Sequence, residues 1–157
     1  MLRPLLLIVT ALLVSCGSGS PPATAPAAAE KAPPPKPADE SRRLPRENQT
    51  SAEVVNDHLL GKSFMPGGTL GQYRKGKTEY QMFVAAMPSP TDAAILLLDW
   101  KKAMPDAQLV ASFGGYAGTD AGRPVFVFTK GSWIAGVAGL PQKQADLQAR
   151  LLAMHLD

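Results

Sequence analysis

The chain has one cysteine, Cys16, and two histidines, His58 and His155. These are the residue types that act most readily as nucleophiles, metal ligands or proton carriers near neutral pH. The histidines stand about a hundred residues apart, outside any HExxH-type spacing, so only the fold could join them in one site. Met82, Met87, Met104 and Met154 offer soft thioether donors of the kind copper takes. Each also falls in an apolar helix or strand pattern, which reads as core packing. "LLGKS", residues 59–63, ends like a phosphate-binding loop, but Asn56 stands where that motif needs its first glycine. No GxSxG elbow is present, and the carboxylates are scattered singly. No catalytic residue, metal or cofactor is therefore expected, and the chain reads as a non-enzyme.

Two weaker constellations remain. Arg74, Lys75 and Lys77 at "RKGK", with Lys130 at "TKGS", would form a cationic patch if their two turns share one end of the fold. Such a patch would draw anionic lipid headgroups or acidic glycans. "FGGYAGTDAG", residues 113–122, reads as a glycine-rich loop on which Phe113, Tyr116 and Asp120 could line a small ligand site.

Cys16 gains its meaning from its neighbours. Arg3 precedes an apolar run over residues 5–14 that is broken only by Thr10. That run is too short to span a bilayer, which takes about 20 apolar residues, and has the proportions of a secretory signal. Leu13, Val14, Ser15 and Cys16 then resemble the lipobox of bacterial lipoproteins. The resemblance implies diacylglyceryl transfer to the Cys16 sulfur, cleavage before Cys16 and acylation of the new amine. It implies a cell-envelope address with the membrane as partner, and Gly17 favours the periplasmic face of the outer membrane if the host is Gram-negative. Two or three acyl chains suffice as an anchor, since each buried methylene contributes about 0.8 kcal/mol.

Residues 16–49 are rich in proline, alanine, serine and mixed charge, with Leu44 the only large aliphatic side chain after the cysteine. This composition reads as a disordered linker, and its proline runs would extend at about 3.1 Å per residue. From Thr50 onward the chain is apolar enough for a single compact domain over residues 50–157. The whole chain carries 16 basic and 13 acidic residues, and the domain itself is nearly balanced. No basic face for nucleic acid is expected.

"TSAE" predicts a capped helix over residues 51–60, and "PGGT" a turn after it. Residues 70–74 and 78–87 read as a hairpin turning at Gly76. "SPTDAAILLLDWKKAM" predicts a helix with Ser89 as cap, Pro90 in the first turn, and Ile95 and Leu98 widening its apolar stripe. Residues 108–113 form a further strand, and 124–129 with 132–138 a second hairpin turning at Gly131. Pro141 opens a last helix with Leu147, Leu151 and Met154 as its stripe. The fold class is α+β, a two-layer arrangement with a mostly antiparallel sheet of about five strands. It has two main helices and a short N-terminal one, in the order α-ββα-βββα.

Both faces of the second hairpin are apolar. Cover by the N-terminal helix is the first expectation, and an envelope protein partner the second. The paired Lys-Gly hairpins, each followed by a proline-opened helix, also raise an internal duplication. "SPTDAA", "FGGY" and "VFTKGSW" resemble segments of uncharacterised bacterial secreted domains and carry no function across. The domain is expected to be a non-catalytic binding or assembly module; a small-ligand or metal-binding periplasmic sensor is the alternative, and a hydrolase a more distant one.

Overall fold

The computed structural model describes residues 36–157; the signal segment, Cys16 and most of the proline-rich stretch lie outside them. Nine main elements follow in order: β1 (Gln49–Asp57), β2 (Pro66–Lys75), β3 (Thr78–Ala86), α1 (Pro90–Ala103), β4 (Gln108–Val110), β5 (Gly115–Asp120), β6 (Arg123–Lys130), β7 (Trp133–Ala138) and α2 (Gln142–Ala153). The strands form one antiparallel seven-stranded sheet in the order β1-β2-β3-β7-β6-β5-β4. The α+β class holds, with seven strands in place of five.

The two extra strands come from segments with weak strand signals. β1 occupies most of the stretch read as the N-terminal helix. Its β-branched Val54 and Val55 suit a strand, and pairing with β2 satisfies its backbone, whereas its largely exposed side chains offer no helical face to bury. β5 is the stretch read as a glycine loop. A Cβ on Gly115 would sit 2.4 Å from the Val127 carbonyl oxygen, so glycine is what lets this strand lie flat on β6. "PGGT" is likewise strand: a Cβ on Gly67 would come within 2.2 Å of the Asn56 carbonyl oxygen.

Tight turns set the register. Lys75 pairs with Thr78, Asp120 with Arg123, and Lys130 with Trp133, leaving two-residue loops that contain Gly76, Gly122 and Gly131, all at positive φ. The α1 start is as expected: Ser89 Oγ accepts the Asp92 amide at 3.1 Å, and Pro90 opens the helix.

Alternation along the strands makes two cores. On one face Phe126, Phe128, Val137 and Met82 pack with Ala145, Ala149 and Leu152 of α2. On the other Val125, Val127, Ile134 and Phe83 pack with Leu96, Leu97 and Trp100 of α1. The domain is thus three layers, helix on sheet on helix, and not two. Both helices cover the β5–β7 half of the sheet, from opposite sides. β3 and β7 run antiparallel, so a true twofold between the repeats would put both helices on one face. The internal duplication is therefore not supported.

The β1–β3 half is covered by irregular chain. Residues 59–65 close the α1 face with Leu59 and Met65, and Phe64 meets the Trp100 ring edge-on at 5.4 Å. Trp100 Nε1 donates to Met65 Sδ at 3.1 Å, which answers the one polar atom of this buried ring. On the α2 face the cover comes from the end of the segment read as linker. Leu44 is 1% exposed there beside Tyr73, and the Tyr73 hydroxyl donates to the Pro45 carbonyl at 2.8 Å. The packed body therefore begins before Thr50, because one leucine and its backbone partners suffice to dock an otherwise polar stretch.

Candidate functional site

The two basic turns lie at opposite ends of the sheet. Thr78, beside Lys75, starts β3, while Ala86, at its far end, pairs with Trp133 next to Lys130. Eight residues of strand separate them, roughly 26 Å at 3.3 Å per residue. Arg74 is also paired with Glu79, Nη2 to Oε1 at 2.5 Å. Lys130 donates to the Ala153 carbonyl at 2.8 Å and is paired with Asp157, whose carboxyl it holds below its ordinary pKa. The four-cation patch is not formed; antiparallel hairpins that meet through β3 and β7 must turn at opposite ends.

The candidate ligand residues are also divided. Phe113 packs edge-on against Phe128 at 4.7 Å and Phe126 at 5.5 Å on the α2 face. Tyr116 belongs to the α1 face, where Lys101 Nζ lies 5.5 Å from its ring centre. Asp120 ends β5 in an ion pair with Lys62. Phe113 lies in the turn between β4 and β5 and Tyr116 on β5 itself, and the two aromatics fall to opposite faces of the sheet.

His58 sits at positive φ beside Asp57, with 3.5 Å between Nδ1 and Oδ2. His155 Nδ1 lies 2.8 Å from the Leu151 carbonyl oxygen. Met82 and Met104 are buried on opposite faces. Among the described residues no group of three His, Cys, Asp or Glu side chains could hold a metal ion.

Two surfaces were not legible in the sequence. The first is the outer side of α2. The buried stripe of this helix is Ala145, Ala149 and Leu152, and the expected stripe faces outward, with Leu147 62%, Leu151 37% and Met154 64% exposed. Small inner residues let α2 lie close over a sheet face already filled by Phe126 and Phe128. The larger side chains then form a ridge at i, i+4 and i+7. Ile95 and Leu98 of α1 are exposed as well, contrary to the wide buried stripe expected there.

The second surface is a cavity of about 420 Å³ between the β2–β3 hairpin and α2. Lys75, Thr78 and Tyr80 line one wall, and Gln144, Leu147 and Gln148 the other. Tyr80 is 2% exposed and stacks on Tyr73 with 5.1 Å between ring centres, yet its hydroxyl has no hydrogen-bond partner among the described residues. Burial, and secondarily the charge of Glu47, raises the phenol pKa, so the hydroxyl stays a donor. Gln49 Nε2 is also buried without a partner, in the same cross-strand row as Tyr73 and Tyr80. Only the register completes this row, since Gln49 joins the Tyr73–Tyr80 hairpin pair through the pairing of β1 with β2.

No family model matches the chain, and no curated protein matches it, so its function rests on its own residues.

Proposed function

We propose that this chain is a membrane-tethered envelope lipoprotein, anchored through acylated Cys16, whose domain is a non-catalytic module that docks an envelope protein partner. In a Gram-negative host the address is the periplasmic face of the outer membrane. The tether rests on the lipobox residues and the proline-rich stretch behind them. The docking half is carried by one observation, the outward ridge of Leu147, Leu151 and Met154 on a helix whose inner stripe is mainly alanine. The packing over Phe126 and Phe128 accounts for the small inner residues, but solubility alone would put polar side chains on the outer face. Full burial of a fully exposed side chain of this kind contributes about 1.5–3 kcal/mol, and the part still exposed, larger at Leu147 and Met154 than at Leu151, is what a partner groove would cover. Helix-in-groove docking reads such i, i+4, i+7 anchors.

A photo-crosslinking residue at position 147, in cells that export and acylate the chain, tests the docking. One discrete protein adduct, lost on Leu151→Glu, is expected. Adducts with lipid alone, or the same protein adducts from position 53 on β1, would contradict it.

The small-ligand reading has separate footing in the cavity beside Tyr80, and not on Phe113, Tyr116 and Asp120.

A further inference from the structure

The two edges of the sheet are built differently. β4 closes one with three residues, whereas β1 closes the other with nine. An exposed edge is a template for a further strand, and proteins guard against this with short edge strands or with proline, lysine or a bulge along the edge. β4 is short. β1 holds no proline, lysine or arginine, and its register shift falls near its start, between Gln49 and Ser51. Residues 51–57 are left as a regular run, all exposed except the half-buried Val55.

The direction of its free backbone groups follows from the ladder. The Arg74 amide donates to the Asn48 carbonyl, and the Gln72 carbonyl accepts from the Thr50 hydroxyl, so these residues of β2 turn their backbone groups toward β1. Bonded and non-bonded pairs alternate along an antiparallel ladder, so Leu70 turns the same way. Ser51 and Glu53, opposite Gln72 and Leu70, are then engaged with β2. Ala52 and Val54 present their amides and carbonyls outward. Val54 is 37% exposed, and among the described residues no backbone bond from outside the ladder reaches either.

We propose that this edge pairs with the same edge of a second copy, β1 antiparallel to β1 about a twofold axis at Val54, joining two sheets into one. The run is its own complement in this register. Val54 meets Val54, Glu53 stands opposite Val55, Ala52 opposite Asn56 and Ser51 opposite Asp57, so all of residues 51–57 are paired. Other registers are poorer. An axis at Glu53 would set two glutamates face to face, and one at Val55 would set Glu53 against Asp57; like charges directly opposite destabilise a pair. An axis at Ala52 or Asn56 would pair only residues 51–53 or 55–57 within the regular run. A strand complementary to itself in length and charge fits a second copy, and twofold pairing of like surfaces is the commonest form of association among soluble chains. The inference stands apart from the docking ridge, since α2 packs on β6 and β7.

The test places a photo-crosslinking residue at position 52 of the full chain in cells that produce it. An adduct of twice the chain mass is expected, attached at residues 55–57 of the second copy and distinct from the partner adduct expected at position 147. Residue 54 faces its own copy on the axis. Val54→Lys and Val54→Glu should therefore each lower the yield about 5- to 10-fold, and the two co-expressed should recover about half of it, because only the mixed dimer sets opposite charges together. Recovery in the mixture also shows that both variants fold. Absence of a double-mass adduct, attachment outside β1, an equal yield from position 109 on β4, a yield unchanged by Val54→Lys, or no recovery in the mixture would each overturn the proposal.

Discussion

The Arg43 guanidinium lies 4.4 Å from the centre of the Trp133 ring. The same side chain donates to the His155 and Asp157 carbonyls, at 3.2 and 2.9 Å, and from Nε to Glu40 at 2.9 Å. One arginine thus ties the chain entering the domain to the start of β7 and to the C-terminal residues. Leu44 follows it into the core. This stretch is a structural strap, although its composition reads as linker.

Replacing Arg43 by Ala is expected to lower stability by about 1–2 kcal/mol, the combined scale of a cation–π contact and charge-assisted hydrogen bonds. Leu44→Ala should cost about 2–4 kcal/mol, as for other buried leucines. Urea unfolding followed by tryptophan fluorescence measures both. If both variants unfold at the wild-type midpoint, the strap does not contribute.

Gly136 and Gly131 should respond differently to alanine. A Cβ on Gly136 would lie 2.4 Å from the Phe126 carbonyl oxygen and 2.6 Å from Phe83 Cζ, inside the sheet where neither can retreat. Gly136→Ala is expected to cost about 3 kcal/mol or more. Gly131 has open space around it and a φ of 55°, so Gly131→Ala pays only the left-handed conformation, about 1 kcal/mol. Comparable thermal midpoints for the two would contradict the close packing of β6, β7 and Phe83.

Asp106 accepts the Thr119 amide at 2.6 Å and the Thr119 hydroxyl at 2.7 Å, and these bonds hold its carboxyl below the ordinary value of 3.8. A depressed folded-state pKa contributes stability above the unfolded value and loses it as pH falls through the folded one. The wild type should therefore lose stability below about pH 4, and Asp106→Asn should be less stable at pH 7 with a flatter acid limb. Denaturation midpoints measured from pH 2 to 7 decide this. Parallel acid limbs in the two proteins would show that Asp106 does not contribute.

Cys16→Ala tests the anchor. The variant is expected to leave the membrane fraction or to remain as uncleaved precursor, with loss of acyl labelling. Retention in the membrane as a processed chain would remove the lipoprotein reading.

Several elements were legible from local chemistry alone. The Ser89 cap with Pro90, the Lys-Gly hairpins and the apolar alternation of β6 need no distant partner, because the groups that satisfy them lie within a few residues. Those readings match the fold. Residues 51–60 carry a capping-box pattern, yet β2 offers them a full row of backbone partners, and pairing overrides the local preference. The glycines of β5 signal a loop until the close approach of β6 explains them. The candidate sites fared by the same rule. Lys75 and Lys130 are separated by the antiparallel pairing of β3 with β7, and Phe113 and Tyr116 by the step from a turn onto a strand, neither of which residue type encodes.

The sequence by itself determined an α+β domain, where α1 starts and where two hairpins turn, at Gly76 and Gly131. Only the tertiary structure decided which side of α2 is buried. Any helix with apolar residues on two sides has two candidate stripes. The space left above Phe126 and Phe128 admits Ala145 and Ala149 and turns Leu147, Leu151 and Met154 outward. The Tyr80 cavity likewise exists only once β3 and α2 are side by side, because a cavity belongs to the gap between elements and not to any one of them.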